Sequence, residues 1–233
     1  VTYSLSDDAG GRFAINASTG MITVADGSAL NREADATHDI TVVATSADGS
    51  SSSQVFTISV GDVDEFDVSA VSDVDAGANE LAENAANGSL VGITAQASDA
   101  DATTNAITYS LTDDAGGRFA IDASTGVVTV ADGSQLNYEA ATSHSITVLA
   151  TSADGSSSAQ SYTINLSDVD EFDVGAVSDS NAAANQVAEN ATNGSIVGLT
   201  ALASDADGSN NTVTYSLFDD AGGRFAIDAT TGV

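Results

Sequence analysis

VTYSL opens the chain at residue 1, ITYSL stands at 107 and VTYSL returns at 213, while DDAGGRFAI recurs at 7, 113 and 219. The offset is 106 residues each time, and residues 1–106 align with 107–212 without a gap, identical at about 70% of positions. A period of that length excludes one large fold with a unique core and predicts a tandem array. With boundaries placed at the repeated DVDEF, the chain divides into the back of one repeat (1–65), a complete repeat (66–171) and the front of a third (172–233).

Within a repeat, apolar residues fall on every second position over short stretches. Ile107, Tyr109 and Leu111 alternate in ITYSL, Ile146, Val148 and Ala150 in SITVLA, and Tyr162, Ile164 and Leu166 in SYTINL. Phe119 with Ile121 and Val128 with Val130 add two more inward sets. The breaks between them are turn chemistry: DDAGG at 113–117, STG at 124–126, DGS at 132–134 and ADGSSS at 153–158. About seven short strands in roughly 100 residues, with no helical period, predict an all-β antiparallel sandwich. Proline is absent, so edge protection must come from charge and from end-to-end packing.

Charge narrows the function. The chain carries 34 acidic against 4 basic residues, a net charge of −30, yet 42% of its residues are hydrophobic, so it has the means to build cores. Such a charge argues against nucleic acid and anionic membrane as partners and for bound cations or a salty medium. No apolar run is long enough for direct membrane insertion, and the absence of cysteine excludes disulfides and thiolate metal sites.

The acids gather in AEN (82–84), DAD (99–101), NYE (137–139) and DVDE (168–171). If AEN, NYE and DVDE lie at the bottom of one repeat and DAD at the top of the next, one junction collects Glu83, Glu139, Asp168, Asp170, Glu171, Asp205 and Asp207. Two unit charges 4 Å apart repel by about 4 kcal/mol at an effective dielectric of 20. A hard divalent cation with six to eight oxygen ligands relieves that repulsion, and Ca²⁺ tolerates irregular geometry better than Mg²⁺.

LAENA, ASDADATTNAITYSL, RFAIDASTGVVTV, LNYEA (LNREA in the first repeat) and DVDEF follow one another in the order of the motifs xEx, DxD with its strand, F-x-I-D…TG-x-I, LDRE and DxNDN. In this the chain resembles the cadherin repeat, in the bacterial form found in large secreted (RTX-type) adhesins. The resemblance implies a seven-stranded Greek-key β-sandwich with calcium ions in every linker between repeats. Carried over, the first junction takes Asn31, Glu33, Asp62, Asp64, Glu65 and the Val63 carbonyl, then Asp99 and Asp101. The second takes Glu83, Asn137, Glu139, Asp168, Asp170, Glu171 and the Val169 carbonyl, then Asp205 and Asp207. Asn105 and Asn211 are expected to offer loop carbonyls.

Three departures bear on the ions. The aspartate of LDRE is Asn31 or Asn137, the last Asn of DxNDN is Phe66 or Phe172, and the later strand aspartate is Ser46 or Ser152. Asp48 and Asp154 lie two residues beyond those serines, within or out of reach. The last two losses fall on the ion nearest the downstream repeat, so two firm ions and a weak or missing third are expected per junction.

Other features read more plainly. Asp113, Asp114 and Arg118 are expected to form a hairpin turn with a local ion pair, and Asp73, Asp75 and Asn79 a polar turn. His38 and His144, with no second metal-type ligand nearby, are read as surface residues. The N-x-S/T triplets at 16, 87, 190, 193 and 210 are expected by chance in a chain this rich in Asn, Ser and Thr.

No nucleophile–base pair or phosphate loop is present, so no enzymatic activity is expected. The leading expectation is a secreted, cell-surface extender of an adhesin, linking cells or surfaces in a biofilm. Its partners are calcium and its own neighbouring repeats. A second reading has copies of the chain assembling into a filament or sheath. A third, a carbohydrate-binding module, lacks an exposed aromatic platform, since Trp is absent.

Overall fold

The structure, a computed structural model, describes residues 1–233. Fifteen strands and two single 3₁₀ turns (Gly27–Ala29 and Gly133–Gln135) make up its regular structure. The first repeat contributes β1 (Thr2–Asp7), β2 (Phe13–Ile15), β3 (Ile22–Val24), β4 (Thr37–Thr45) and β5 (Ser51–Ser59). The middle repeat contributes β6 (Ser72–Asp73), β7 (Glu80–Ala82), β8 (Leu90–Gln96), β9 (Thr108–Asp113), β10 (Phe119–Ile121), β11 (Val127–Val130), β12 (Ser143–Thr151) and β13 (Ser157–Ser167). The third contributes β14 (Ser178–Asp179) and β15 (Ala201–Leu202).

The middle repeat is a two-sheet sandwich, with strand orders β10-β11-β8-β6 and β7-β13-β12-β9. Seven strands become eight because the first is split: β6 pairs antiparallel with β8, and β7 crosses over to pair parallel with β13. The polar turn at 73–79 makes the crossing. Asp73 Oδ1 accepts from the N–H groups of Asp75 and Thr94, both at 3.0 Å, and the Asn79 amide nitrogen donates to Asp73 Oδ2 and the Gly92 carbonyl. The Asp73 carboxylate is thus a brace between strands.

Alternation places the core where the sequence expected it. Ile146, Val148, Ala150 and Ile164 are wholly buried, facing Val91, Ile93, Phe119 and Val128 of the opposite sheet. Gly92, at φ 78°, brings β8 against the crossing: a Cβ there would meet the Ala78 carbonyl oxygen at 2.3 Å. Tyr109 buries its ring and accepts the Ala97 N–H at 3.0 Å through its hydroxyl. Tyr109→Phe should therefore lower stability by about 0.5–1.5 kcal/mol. Urea unfolding checks this, and an unchanged midpoint would show that the bond contributes nothing.

Turns are tied down by carboxylates. Asp122 accepts from the backbone N–H groups of Thr125 and Ser124, which hold its carboxyl at about 2. The DDAGGR turn departs from expectation. Asp113 and Asp114 accept from the N–H groups of Ala115 and Gly117, whereas the Arg118 guanidinium donates to the carbonyls of Ala115 and Gln135. Closing the turn takes up both acids before the arginine can reach them, so a carbonyl clamp replaces the expected ion pair.

The histidines differ as well. His38 and His144 lie on β4 and β12 in phase with the inward Ile40 and Ile146; His38 is only 8% exposed and His144 is half-buried. The strand alternation that places the isoleucines places these rings inside too.

Candidate metal centre

Between the middle and third repeats the chain runs through Asp168–Phe172 without regular structure, and its acids are held there by backbone N–H groups. Glu83, 3% exposed just after β7, accepts from Val169 N at 2.9 Å and from Tyr138 N at 2.5 Å. Asp207, 3% exposed, reaches back from the third repeat to accept from Glu171 N (3.1 Å) and Phe172 N (3.2 Å). Asp168 Oδ2 accepts from Ser209 N, and Glu139 Oε1 from Gly208 N at 2.8 Å. Every one of these bonds places a carboxylate; none neutralises its charge.

The result is two groups of carboxylate oxygens, each within 4.8 Å: Glu83, Asp168 and Glu171, and Glu139, Asp168 and Asp207. Asp168 belongs to both. At the first junction Glu33, Asp62 and Glu65 form one group, and Asp64, Asp101 and Asp154 another. Asp101, 2% exposed, mirrors Asp207 by accepting from Glu65 N and Phe66 N, both at 3.2 Å.

The electrostatic cost shows in the protonation equilibria. Lost solvent pushes the Asp64 carboxyl above its usual range, helped by the charges of Asp154, Asp101 and Asp99. Glu65 is raised by lost solvent and by Glu33, Asp101 and Asp62; Glu171 by lost solvent, Glu83 and Glu139. Asp170 is raised first by the charge of Asp207. Asp62, Asp99 and Asp168 move the other way, because Thr103, Ser152 and Ser209 respectively donate to them.

These sites fit a hard cation. Both oxygens of Glu33, Oδ1 of Asp62 and Oδ1 of Asp168 are buried with no hydrogen-bond partner. Buried carboxylate oxygens left bare are costly, and the donor set is entirely oxygen, as Ca²⁺ prefers.

Not every expected ligand oxygen is left bare. Asn31 Oδ1 accepts from Ala34 N and Asn137 Oδ1 from Ala140 N, both at 2.6 Å, so each caps its own turn. An amide next to free N–H groups three residues on closes an Asx-type turn. Asn105 and Asn211 use their side chains as well: their amides donate to the Asp101 and Asp207 carbonyls at 2.5 and 2.9 Å and lock the DAD loop. Phe66 and Phe172 supply backbone N–H groups, leaving their rings about two-fifths exposed.

The sequence reading left one contributor open and missed another. Asp154, on the turn between β12 and β13, joins Asp64 and Asp101; its N–H is fixed to the Thr104 carbonyl at 3.1 Å, while Ser152 Oγ donates to Asp99. The signal was an acid in a tight DGS turn two residues past the expected position. Gly208 presses on Tyr138, where a Cβ would meet the ring at 2.6 Å; the corresponding pair at the first junction is Ala102 and Arg32.

Fold and site together define a class: a modular string of antiparallel sandwiches whose chemistry lies between modules. Residues 78–167 match the cadherin domain. Human Protocadherin Fat 4 is 32% identical over 238 residues, covering all of this chain and 5% of that protein. Cadherin-related family member 1a of Danio rerio is 33% identical over 165 residues, 66% of this chain and 19% of that protein. In the crystal structure of mouse Cadherin-23 EC22-24, the match covers 99% of this chain and 73% of that one, with a TM-score of 0.72 and 25% identity. The chain thus carries a cadherin domain, a non-enzymatic module, at residues 78–167, within a tandem of cadherin-like sandwiches. It spans a small fraction of the curated relatives it matches.

Proposed function

We propose that this chain is a calcium-stiffened extender of a cell-surface adhesin, divided into units at 1–65, 66–171 and 172–233. The observation that carries the reading is the set of buried, unpartnered carboxylate oxygens on Glu33, Asp62 and Asp168, one set at each junction. Bound Ca²⁺ would supply the hard positive charge that six to eight such oxygens share. At the first junction Glu33, Asp62 and Glu65 hold the upstream place, while Asp64, Asp101 and Asp154, with Asp99 beside them, hold the downstream one. At the second, Glu83, Glu139, Asp168, Asp170, Glu171, Asp205 and Asp207 converge, with the Val63 and Val169 carbonyls as linker ligands. Near-identical repeats suit a spacer, which needs length and not a unique surface.

The relatives named above are vertebrate proteins, so the bacterial, biofilm setting rests on the sequence resemblance alone. No helix is long and apolar enough to cross a membrane. A filament reading draws support from a neighbour described as a protocadherin cis-dimer, which matches this chain with a TM-score of 0.70. Sedimentation in calcium separates the two: an extender stays monomeric, and a filament subunit does not.

Asp154 changes the expected stoichiometry. The downstream place at the first junction regains the carboxylate that Ser152 lacks, so Asp154→Ala should lower the number of calcium ions bound by one. Isothermal titration of the 233-residue chain measures it. Equal numbers for the two proteins would remove Asp154 from the site, and no calcium uptake by the unmodified chain would sink the reading as a whole.

A further inference from the structure

Away from the junctions, the chain concentrates its scarce positive charge in one place. It has four arginines, and three of them, Arg12, Arg118 and Arg224, precede the phenylalanine of a repeated RFAI. In the first two copies that phenylalanine packs on a histidine. Phe13 and His38 have ring centroids 6.2 Å apart, tilted by 57°, and Phe119 and His144 are 6.1 Å apart, tilted by 58°. In both histidines Nε2 is buried without a hydrogen-bond partner. The chain's own repeats show that position to be singular: residues 35, 36, 37 and 39 all differ from their counterparts at 141, 142, 143 and 145, while the histidine between them stays.

A neutral imidazole tolerates these surroundings and a protonated one does not. Protonation makes both ring nitrogens donors, and here Nε2 faces no acceptor. The Arg118 guanidinium adds charge of the same sign, and carbonyls of Ala115 and Gln135 hold it, not a carboxylate able to absorb a second cation. Arg118, leading into β10, is the charged group that acts on the His144 ring, and Asp132 at the start of the 3₁₀ turn acts in turn on that arginine. Asp132 is engaged by Ser134 and Gln135. On either side of the ring β12 carries Ser143 and Ser145, and β13 opposes it with Ile164.

We propose that this histidine–phenylalanine pair is an acid-sensitive latch: protonation of His144 loosens the sandwich that holds it. Burial, then the nearby Arg118 charge, keep the His144 pKa below its ordinary value. A depressed folded pKa means that the unfolded chain takes up the proton first. The stabilisation is therefore complete above about 6.5, the unfolded value, and is lost as pH falls through the folded one. Within that window the folding constant drops by up to about tenfold per pH unit. The latch thus acts in mild acid, where ordinary carboxylates remain charged.

The test follows the 233-residue chain from neutral pH to about 5.5 in the presence of a chelator, so that calcium release plays no part. Proton NMR reads the titration of the His144 ring, and thermal melts compare the unmodified chain with His144→Gln. The expected result is a His144 midpoint below 6.5 and a melting temperature that falls with acid, less steeply in the variant. A His144 midpoint at or above 6.5, or identical acid slopes, would overturn the proposal. If His144→Gln does not fold, the ring titration of the unmodified chain decides alone.

Discussion

Chelating calcium should turn a stiff rod into a hinged one. Without the ion, the carboxylates of Asp64, Asp101 and Asp154 stand within 4.8 Å of each other, as do those of Glu83, Asp168 and Glu171. Like charges so close favour separation and full hydration. Few direct bonds oppose that separation: at the first junction the Thr103 hydroxyl to Asp62 and the two N–H groups on Asp101, at the second the contacts of Asp168, Glu139 and Asp207. Several of these themselves depend on the acids staying together. With calcium, oxygens from both sides of a linker share one ion, so bending must stretch several contacts at once. Small-angle scattering with calcium and with chelator should give a narrow length distribution in the first condition and a broad one in the second. Stability should follow by mass action, by about 2.7 kcal/mol once free calcium exceeds its dissociation constant a hundredfold. Equally narrow distributions in both conditions would mean that the junction is held by something other than calcium.

The parts of this architecture that follow from period were legible in the sequence. Alternation placed Ile146, Val148 and Ala150 inside, and the repeat placed the acids at two junctions. Pairing was less legible, because it depends on partners far along the chain. The letters VTYSL form strand β1 at the start of the chain, and ITYSL forms β9, each beside its long partner strand. The same VTYSL at 213–217 stays out of any sheet, since no counterpart of β12 follows within these residues. The split of the first strand into β6 and β7 was hidden for a related reason: a polar turn marks a break but not which sheet the chain enters next. Among the candidate residues, the structure brings carboxylates together and gives the amides bonds of their own. A carboxylate among carboxylates has few neutral alternatives, whereas Asn31 and Asn137 satisfy themselves on the next turn. The Asp154 contribution needed the path of a tight turn, which sequence spacing does not provide. His38 was misread because a lone titratable residue suggests surface, while its phase with Ile40 indicates core.

Asp168→Ala should cost the second junction both of its ion places while leaving every sandwich folded. Asp168 alone is shared by the two carboxylate groups there, and its Oδ1 is buried with no protein partner. Removing it leaves Glu83 and Glu171 as one pair and Glu139 and Asp207 as another, each without the carboxylate they share. The side chain also accepts from Ser209 N at 2.5 Å, so a direct tie between the middle and third repeats goes with it. The core is untouched, because Asp168 follows the end of β13 and takes no part in the cluster around Ile146, Val148 and Ile164. Calcium titration should therefore show two ions fewer than in the unmodified chain, and scattering in calcium should show a hinge at the second junction alone. Asp62→Ala is the informative comparison. Asp62 belongs to one group, with Glu33 and Glu65, while the neighbouring group of Asp64, Asp101 and Asp154 does not include it, so one ion is lost and the first junction stays partly stiff. Equal losses from the two variants would show that the shared position of Asp168 carries no weight, and that each junction takes up calcium as a diffuse acidic surface and not as ordered sites.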